Sequence, residues 1–422
     1  MLGPWGRKLG LVALGLSGNH SMVYYGWWIV FAGFFIALYI SGTLFFGFTA
    51  FFEPIVSEFG WSYTEVSLVV ALRGLEMGIF APLAGYLVDR YGSRKLVTAG
   101  AAIVGAGFVL LSLTRSLTMF YGAFLLLAFG AGGCTSVVLM TSVAKWFKRR
   151  IGKAMGIMAC GYGAGGLLIP LVVWSIDSMG WRTTLMLLGF LMWVMGIPLG
   201  LVLKENPNPE ADEFHTEPRE SPSSGPWAEE KGEPSFRSSL GDRSFWAINI
   251  AEFFRMLVLT AVVTHLMPYL SSVGMARKEA GMVAAALPLV SIAGRFGFGW
   301  LADIYPKHKV MMGAYGFMVC GLLALTEVEE GWPLLVFLAF FPPGFGGTMI
   351  LRGAMLREHF GVGSFGKLLG ITMGMASMGG MIGPPVAGWV YDNWGVYKPL
   401  WFVFCGLMGM AILIISTARS PR

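Results

Sequence analysis

The sequence predicts an all-α membrane protein with twelve transmembrane helices in two six-helix repeats. Three observations carry that reading. The composition is apolar and poor in charge, the apolar residues fall into twelve long stretches, and the two halves match at a constant offset.

Hydrophobic residues make up 55% of the 422, charged residues only 13%, and mean hydropathy is +0.67. A soluble domain carries about 25% charged residues, so too little polar surface remains here for water to wet. The 59 glycines suit a bilayer, where small residues let helix backbones approach closely. A helix needs ~20 apolar residues to cross, at about 1.5 Å of rise each. Stretches of that kind fall near 26–52, 63–88, 95–114, 117–144, 152–176 and 181–203, and again near 244–271, 279–302, 308–326, 332–356, 365–391 and 396–417. They define an N-terminal bundle over 24–203 and a C-terminal bundle over 244–417. Residues 204–243 between them are acidic, rich in Pro and Ser and without apolar periodicity, and read as a flexible cytoplasmic loop. Residues 1–23 read as a leader, in which translation starts at Met1 or at Met22, and 418–422 as a short tail.

The net charge of +6 could suggest a nucleic-acid partner, but the basic residues gather in one set of loops. Arg90, Arg94, Lys95, Lys145, Lys148, Arg149, Arg150, Lys153, Lys307, Lys309 and Arg357 all fall on one side, while the other receives only Arg115, Arg182, Arg277, Lys278 and Lys398, alongside Glu53, Glu58, Glu327, Glu329 and Glu330. Positive loops stay in the cytoplasm, so both termini are expected inside, in a cell membrane. The partners are then the lipid bilayer and a solute, with no nucleic acid, and the chain is expected to be a monomer. The four cysteines lie in apolar stretches without CxxC spacing or nearby His, so neither a disulfide framework nor a metal site is indicated. No nucleotide-binding loop or nucleophile elbow is present, and no enzyme activity or cofactor is expected.

The repeat shows at an offset of 214: Gly85 and Asp89 match Gly299 and Asp303, Gly156-Ile157 match Gly370-Ile371, Gly165-Gly166 match Gly379-Gly380, and Pro170 matches Pro384. Parallel repeats of this kind build transporters whose substrate site lies between the halves, near mid-bilayer.

The loop Gly85-Tyr-Leu-Val-Asp89-Arg90-Tyr-Gly92-Ser-Arg94-Lys95 resembles the signature loop of the major facilitator superfamily. The resemblance covers residues 24–417 and implies that fold, with Gly85, Asp89, Arg90 and Arg94 at a cytoplasmic gate. Finer features are similar to the monocarboxylate and oxalate–formate transporter branch. Tyr25-Gly26-Trp27-Trp28 opens the first span, Trp146-Phe147-Lys148-Arg149-Arg150 leads into a Gly-rich fifth span, and Arg295 stands in Ser291-Ile-Ala-Gly-Arg295-Phe-Gly-Phe-Gly299 of the eighth. That branch places its carboxylate-binding arginine there. Two features depart from it: Ser291 stands where animal monocarboxylate porters carry an acid, and no charged residue lies between Lys367 and Asp392, where oxalate–formate exchangers carry a lysine. The first questions the usual proton relay, and the second argues against a dicarboxylate.

Ionisable groups inside a bilayer cost about 2.5–3.5 kcal/mol on insertion scales and need an explanation. Arg73 with Glu76, and Glu252 with Arg255, are spaced i,i+3 and can neutralise each other on one helix. Their functional reading is a salt bridge that opens when a proton arrives. Arg352 is expected to pair with Asp303 at the cytoplasmic gate. Arg295 has no acid on its own helix face and needs an anion from elsewhere, either a substrate carboxylate or a distant Glu76 or Glu252. His265 and Tyr269, four apart, are expected on one face at a cavity mouth, as candidates for substrate or proton handling.

The expectation is a secondary transporter of small monocarboxylates, of the lactate, pyruvate or formate class, coupled to a proton and working by alternating access. The rivals are an organic-anion exchanger of the oxalate–formate type and a non-transporting ligand sensor on the same fold.

Overall fold

The computed structural model describes residues 25–147, 151–204, 236–328, 331–361 and 365–418. The expected leader, residues 205–235 of the expected loop over 204–243, and the last four residues lie outside them, as do Lys148, Arg149, Arg150, Glu329 and Glu330; within the described part of that loop Phe236–Leu240 form a short helix. Twelve long helices follow one another among the described residues. In the first half they are α1 (Tyr25–Phe59), α2 (Tyr63–Tyr91), α3 (Ser93–Ser112), α4 (Leu117–Ala144), α5 (Lys153–Met179) and α6 (Trp181–Val202). In the second half they are α7 (Arg243–Ser272), α8 (Arg277–Ile304), α9 (Lys307–Leu325), α10 (Trp332–Phe360), α11 (Phe365–Trp394) and α12 (Lys398–Ser416). Ten are long and apolar enough to cross a membrane. The other two, α2 and α11, have 29 and 30 residues, ample for the same distance.

Local chemistry sets the ends. At the start of α2 the Ser62 hydroxyl accepts from the Glu65 amide at 3.1 Å, and the Glu65 carboxylate accepts from the Ser62 amide at 2.8 Å. This reciprocal cap satisfies two donors that a helix start leaves open. Gly92 alone separates α2 from α3, at φ +81°. Only glycine takes that backbone without strain, which gives the glycine of the signature loop its physical role. Gly180, at φ +80°, turns α5 into α6 in the same way.

The helices run up and down, so α1 begins and α12 ends at one end of the bundle, here the terminal end. The α1–α2, α5–α6, α7–α8 and α11–α12 connections mark the opposite, distal end. Within the halves α1 packs on α5 and α7 on α11, α3 on α6 and α9 on α12, α2 on α4 and α8 on α10. Between the halves α2 packs on α11 and α8 on α5. The second helix of either half thus meets the fifth of the other, as a twofold relation between duplicated units requires.

The matched glycines explain themselves in this packing. A Cβ on Gly165 would come 2.7 Å from the backbone nitrogen of Gly42 on α1, and Gly379 presses still more closely on the backbone of Phe253 on α7. The repeat therefore keeps the residue that lets the fifth helix of each half lie against the first. On another side of α5, a Cβ on Gly163 would meet Ile292 Cγ1 at 2.5 Å and one on Gly166 would meet Pro288 Cγ at 2.7 Å, both on α8 of the other half.

Candidate functional site

Arg295 is placed by the close crossing of α8 and α10. Gly294 lies directly on the backbone of Pro343, and Gly346 on that of Ser291, so no side chain separates the two helices there. The next residue along α8, Arg295, sends a half-buried guanidinium toward α5 and α10. Its Nη1 donates to the Ala159 carbonyl at 3.4 Å and its Nη2 lies 4.0 Å from the Met349 sulfur, while its Nε is buried without a hydrogen-bond partner. These are long, weak contacts for a charged donor. Among the described residues no carboxylate lies within ion-pair reach of it. The group bridges α8 of one half and α5 of the other, and its donors are under-used.

The alternative acid, Glu252, is fully engaged elsewhere. Its Oε1 accepts from Arg255 Nη2 and from Arg352 Nη1, both at 2.5 Å, and its Oε2 accepts from Arg255 Nε at 2.7 Å. The i,i+3 spacing on α7 delivers the first pair, and α10 brings the second arginine. This corrects one expectation: Arg352 is held by the buried Glu252, whereas Asp303 is exposed at the terminal end of α8. A guanidinium with almost no access to water takes the acid buried beside it over one that solvent screens.

Arg73 donates to the Leu44 carbonyl at 3.1 Å and lies 4.6 Å from the centroid of the Phe45 ring. The side chains of its expected partner Glu76, and of Asp89, lie outside the described residues. Gly85 and Asp89 stand in the helical backbone of α2. Arg90 and Arg94 are exposed at the terminal end, Arg90 with its guanidinium 5.5 Å from the Tyr91 ring.

His265 and Tyr269 do share a helix face, since both rings contact Tyr397, but both are buried there and neither lines the surface cavity at this end. The Tyr269 hydroxyl donates to the Leu325 carbonyl inside the second half and is 4% exposed, so it is turned away from the interface between halves. His265 is fully buried in that interface. Ser67 gives its one proton to the Tyr63 carbonyl at 2.6 Å, so its oxygen accepts from His265 Nε2 at 3.0 Å. The Pro384 carbonyl, also at 3.0 Å, can only accept from that same N–H. Nδ1 lies 2.9 Å from the Tyr397 hydroxyl, which can donate to it. The network places a proton on Nε2, and a neutral ring protonated there satisfies all of these contacts.

His265 belongs to a larger closure at the distal end. Arg277, at the start of α8, pairs with Asp177 of α5 at 2.8 Å and with Glu53 of α1 at 3.5 Å, and donates to the Ala50 carbonyl. Ser271 donates to Glu53 at 3.2 Å, and the Met267 amide donates to Thr49 at 3.3 Å. Asp392 of α11 accepts from the Tyr63 and Thr64 amides at 2.9 and 2.8 Å. A surface cavity of about 470 Å³ flanks this closure, lined by Glu53, Tyr63, Asp177, Trp181 and Arg277. These contacts between halves lie distal to the level of Arg295. Sequence reasoning missed Arg277, Asp177 and Asp392. One signal was available: a cation in the first turn of a helix opposes the helix dipole, so Arg277 required acids from other elements. Among the described residues no group of His, Cys, Asp or Glu could hold a metal ion.

A family model described as "Major Facilitator Superfamily" matches residues 29–327 and 250–422. Monocarboxylate transporter 12 of Rattus norvegicus is 26% identical over 421 residues, covering 94% of this chain and 86% of its own. Monocarboxylate transporter 11 of Homo sapiens is 28% identical, covering 88% and 78%. Among solved structures, the nucleoside transporter NupG superposes with a TM-score of 0.74 at 10% identity, covering 93% of this chain and 99% of that one. A bacterial homolog of the human lysosomal transporter Spinster, inward-facing and occupied, gives 0.66 at 15%, covering 94% of each.

Proposed function

Since the chain belongs to the Major Facilitator Superfamily and is a multi-pass membrane transporter, we propose that its solute is a small monocarboxylate, moved together with a proton by alternating access. The observation that carries this reading is Arg295. It is a half-buried cation between the two halves whose Nε has no partner and whose other contacts are a long carbonyl bond and a thioether. A planar guanidinium fork suits a carboxylate bidentately. Relatives over most of the chain are named monocarboxylate transporters, which supports the same class. One carboxylate satisfies one arginine, and the stretch between Lys367 and Asp392 offers no second cation, so a monoanion is favoured over a dicarboxylate.

The concentration of basic loops at the terminal end supports a cytoplasmic location for that end, in a cell membrane. The distal closure then stands at the outer face, and the arrangement is the one with the outer gate shut. Substrate carboxylate on Arg295 would draw α5, α8 and α10 together before the outer latch releases. The coupled proton is assigned to an acid within a span, the buried Glu252 or Glu76, with His265 as the third candidate.

A specific observation favours exchange as the second reading. At the position of the branch's usual acid, the Ser291 hydroxyl donates to the Pro288 carbonyl at 2.6 Å and offers no titratable group. Purified protein in liposomes tests both readings. Uptake of labelled lactate, pyruvate or formate, accelerated by an inward proton gradient, is the expected result. Uptake only against a preloaded organic anion would favour the exchanger, and binding without flux would favour a sensor.

A further inference from the structure

Among the described residues, the cluster joining α7, α9 and α10 is out of balance by one positive charge. Glu252 contributes one negative charge, while Arg255 and Arg352 contribute two positive. Glu252 and Arg255 are 1% exposed and Arg352 is 9% exposed, so water does little to screen the surplus. Tyr315 of α9, fully buried, is a further polar group in this half. The hydrogen bonds are out of balance in the same sense. Arg255 Nη1, Arg352 Nε and the Tyr315 hydroxyl are buried with no partner, and each is a donor. The carboxylate oxygens of Glu252 already accept three bonds between them. A buried charge without a counter-ion is strongly unfavourable, and idle buried donors add to the cost.

We propose that this cluster is a second anion site, taking one small monovalent anion among Arg255, Arg352 and Tyr315. The anion is a halide from solution or the carboxylate of a small organic acid. It restores neutrality and receives the unused N–H and O–H groups. The site is distinct from Arg295, although the two are neighbours on α10: Met349 touches Arg295, and Arg352 follows three residues later, about 4.5 Å along the axis.

The test uses the purified full-length protein in gluconate buffer, with chloride, bromide or formate titrated in at constant ionic strength. Melting temperature is followed for each, and bromide binding is measured by calorimetry. Halide should raise the melting temperature saturably. Arg352→Gln leaves a neutral Glu252–Arg255 pair. It should weaken halide binding at least roughly tenfold, with no loss of melting temperature in gluconate alone. Tyr315→Phe keeps the ring and removes one donor, and should weaken halide severalfold, which provides a second variant if the first does not fold. Arg295→Ala should keep the halide response, so failure of the carboxylate reading at Arg295 leaves this proposal standing. Stabilisation by formate without halide, surviving Arg295→Ala, would identify a carboxylate as the occupant. No response to any of the three anions overturns the site. So does a halide response lost in Arg295→Ala and retained in both Arg352→Gln and Tyr315→Phe.

Discussion

Asp392 of the second half caps a helix of the first: its carboxylate accepts from the backbone amides of Tyr63 and Thr64, at 2.9 and 2.8 Å, and from the Thr64 hydroxyl. The first turn of α2 thus holds two anchors. Ser62 caps it from within its own half, and Asp392 caps it from across the interface. A carboxylate at a helix start is favoured by the open N–H groups and by the helix dipole. Only the Asp392 anchor is lost when the halves part at this end.

Asp392→Ala should therefore favour the state open at the distal end. A cap of this kind contributes about 1 kcal/mol, which is about a fivefold shift in population. A cysteine placed at Ser67, buried beneath the latch, reports it through its labelling rate with an impermeant thiol reagent. An unchanged rate would mean that Asp392 does not hold the gate.

Arg277 and Asp177 should show coupling in a double-mutant cycle read by the same labelling. Each single change, Arg277→Gln or Asp177→Asn, should loosen the distal end, and the double variant should cost less than the two together. The pair is partly exposed, so the coupling should also shrink as salt rises. Simple additivity would show that the 2.8 Å contact contributes nothing to closure.

Arg295→Ala should weaken monocarboxylate binding at least roughly tenfold, since a charged hydrogen-bonded contact contributes about 1.5–3 kcal/mol. Arg295→Lys should recover part of it, keeping the charge without the fork. Because no described carboxylate pairs with Arg295, the alanine variant should keep its melting temperature. Unchanged affinity in a stable variant would remove the carboxylate reading and leave the superfamily alone.

Glu76→Gln and Glu252→Gln test the proton. Exchange does not require the empty carrier to reset, so a residue needed only for proton release should be dispensable for exchange and essential for uphill uptake. Full gradient-driven uptake by the double variant would leave His265, or the substrate's own proton, as the carrier.

Orientation has its own test. A cysteine at Glu220 should be labelled only from the cytoplasm and one at Glu329 only from outside. The reverse pattern would turn the bundle over and put the Asp392 latch on the inner face.

The fold was legible because membrane helices leave a long-range signal in composition and duplication leaves one in spacing. Gly165 and Gly379 matched at one offset because each solves the same packing problem. Charges could be read only along single helices. The Glu252–Arg255 pair, three residues apart, was therefore visible, while Arg352 joins it from 100 positions away and was given to the wrong acid. The latch was invisible for the same reason: Asp392 and Thr64 are separated by 328 positions, and nothing local to either names the other. Tyr269 misled because spacing places a residue on a face without saying what that face meets.

The glycines of α5 imply something about mechanics. Gly165 and Gly161 seat the helix on α1 of its own half, while Gly163 and Gly166 turn a bare strip of backbone toward α8 of the other. Ile292 and Pro288 of α8 seat in the notches those glycines leave, so along that strip the side chains come from one helix only and the other offers backbone. Rocking there moves two α8 side chains over bare α5 backbone, and the polar latch adds a resistance that can be released.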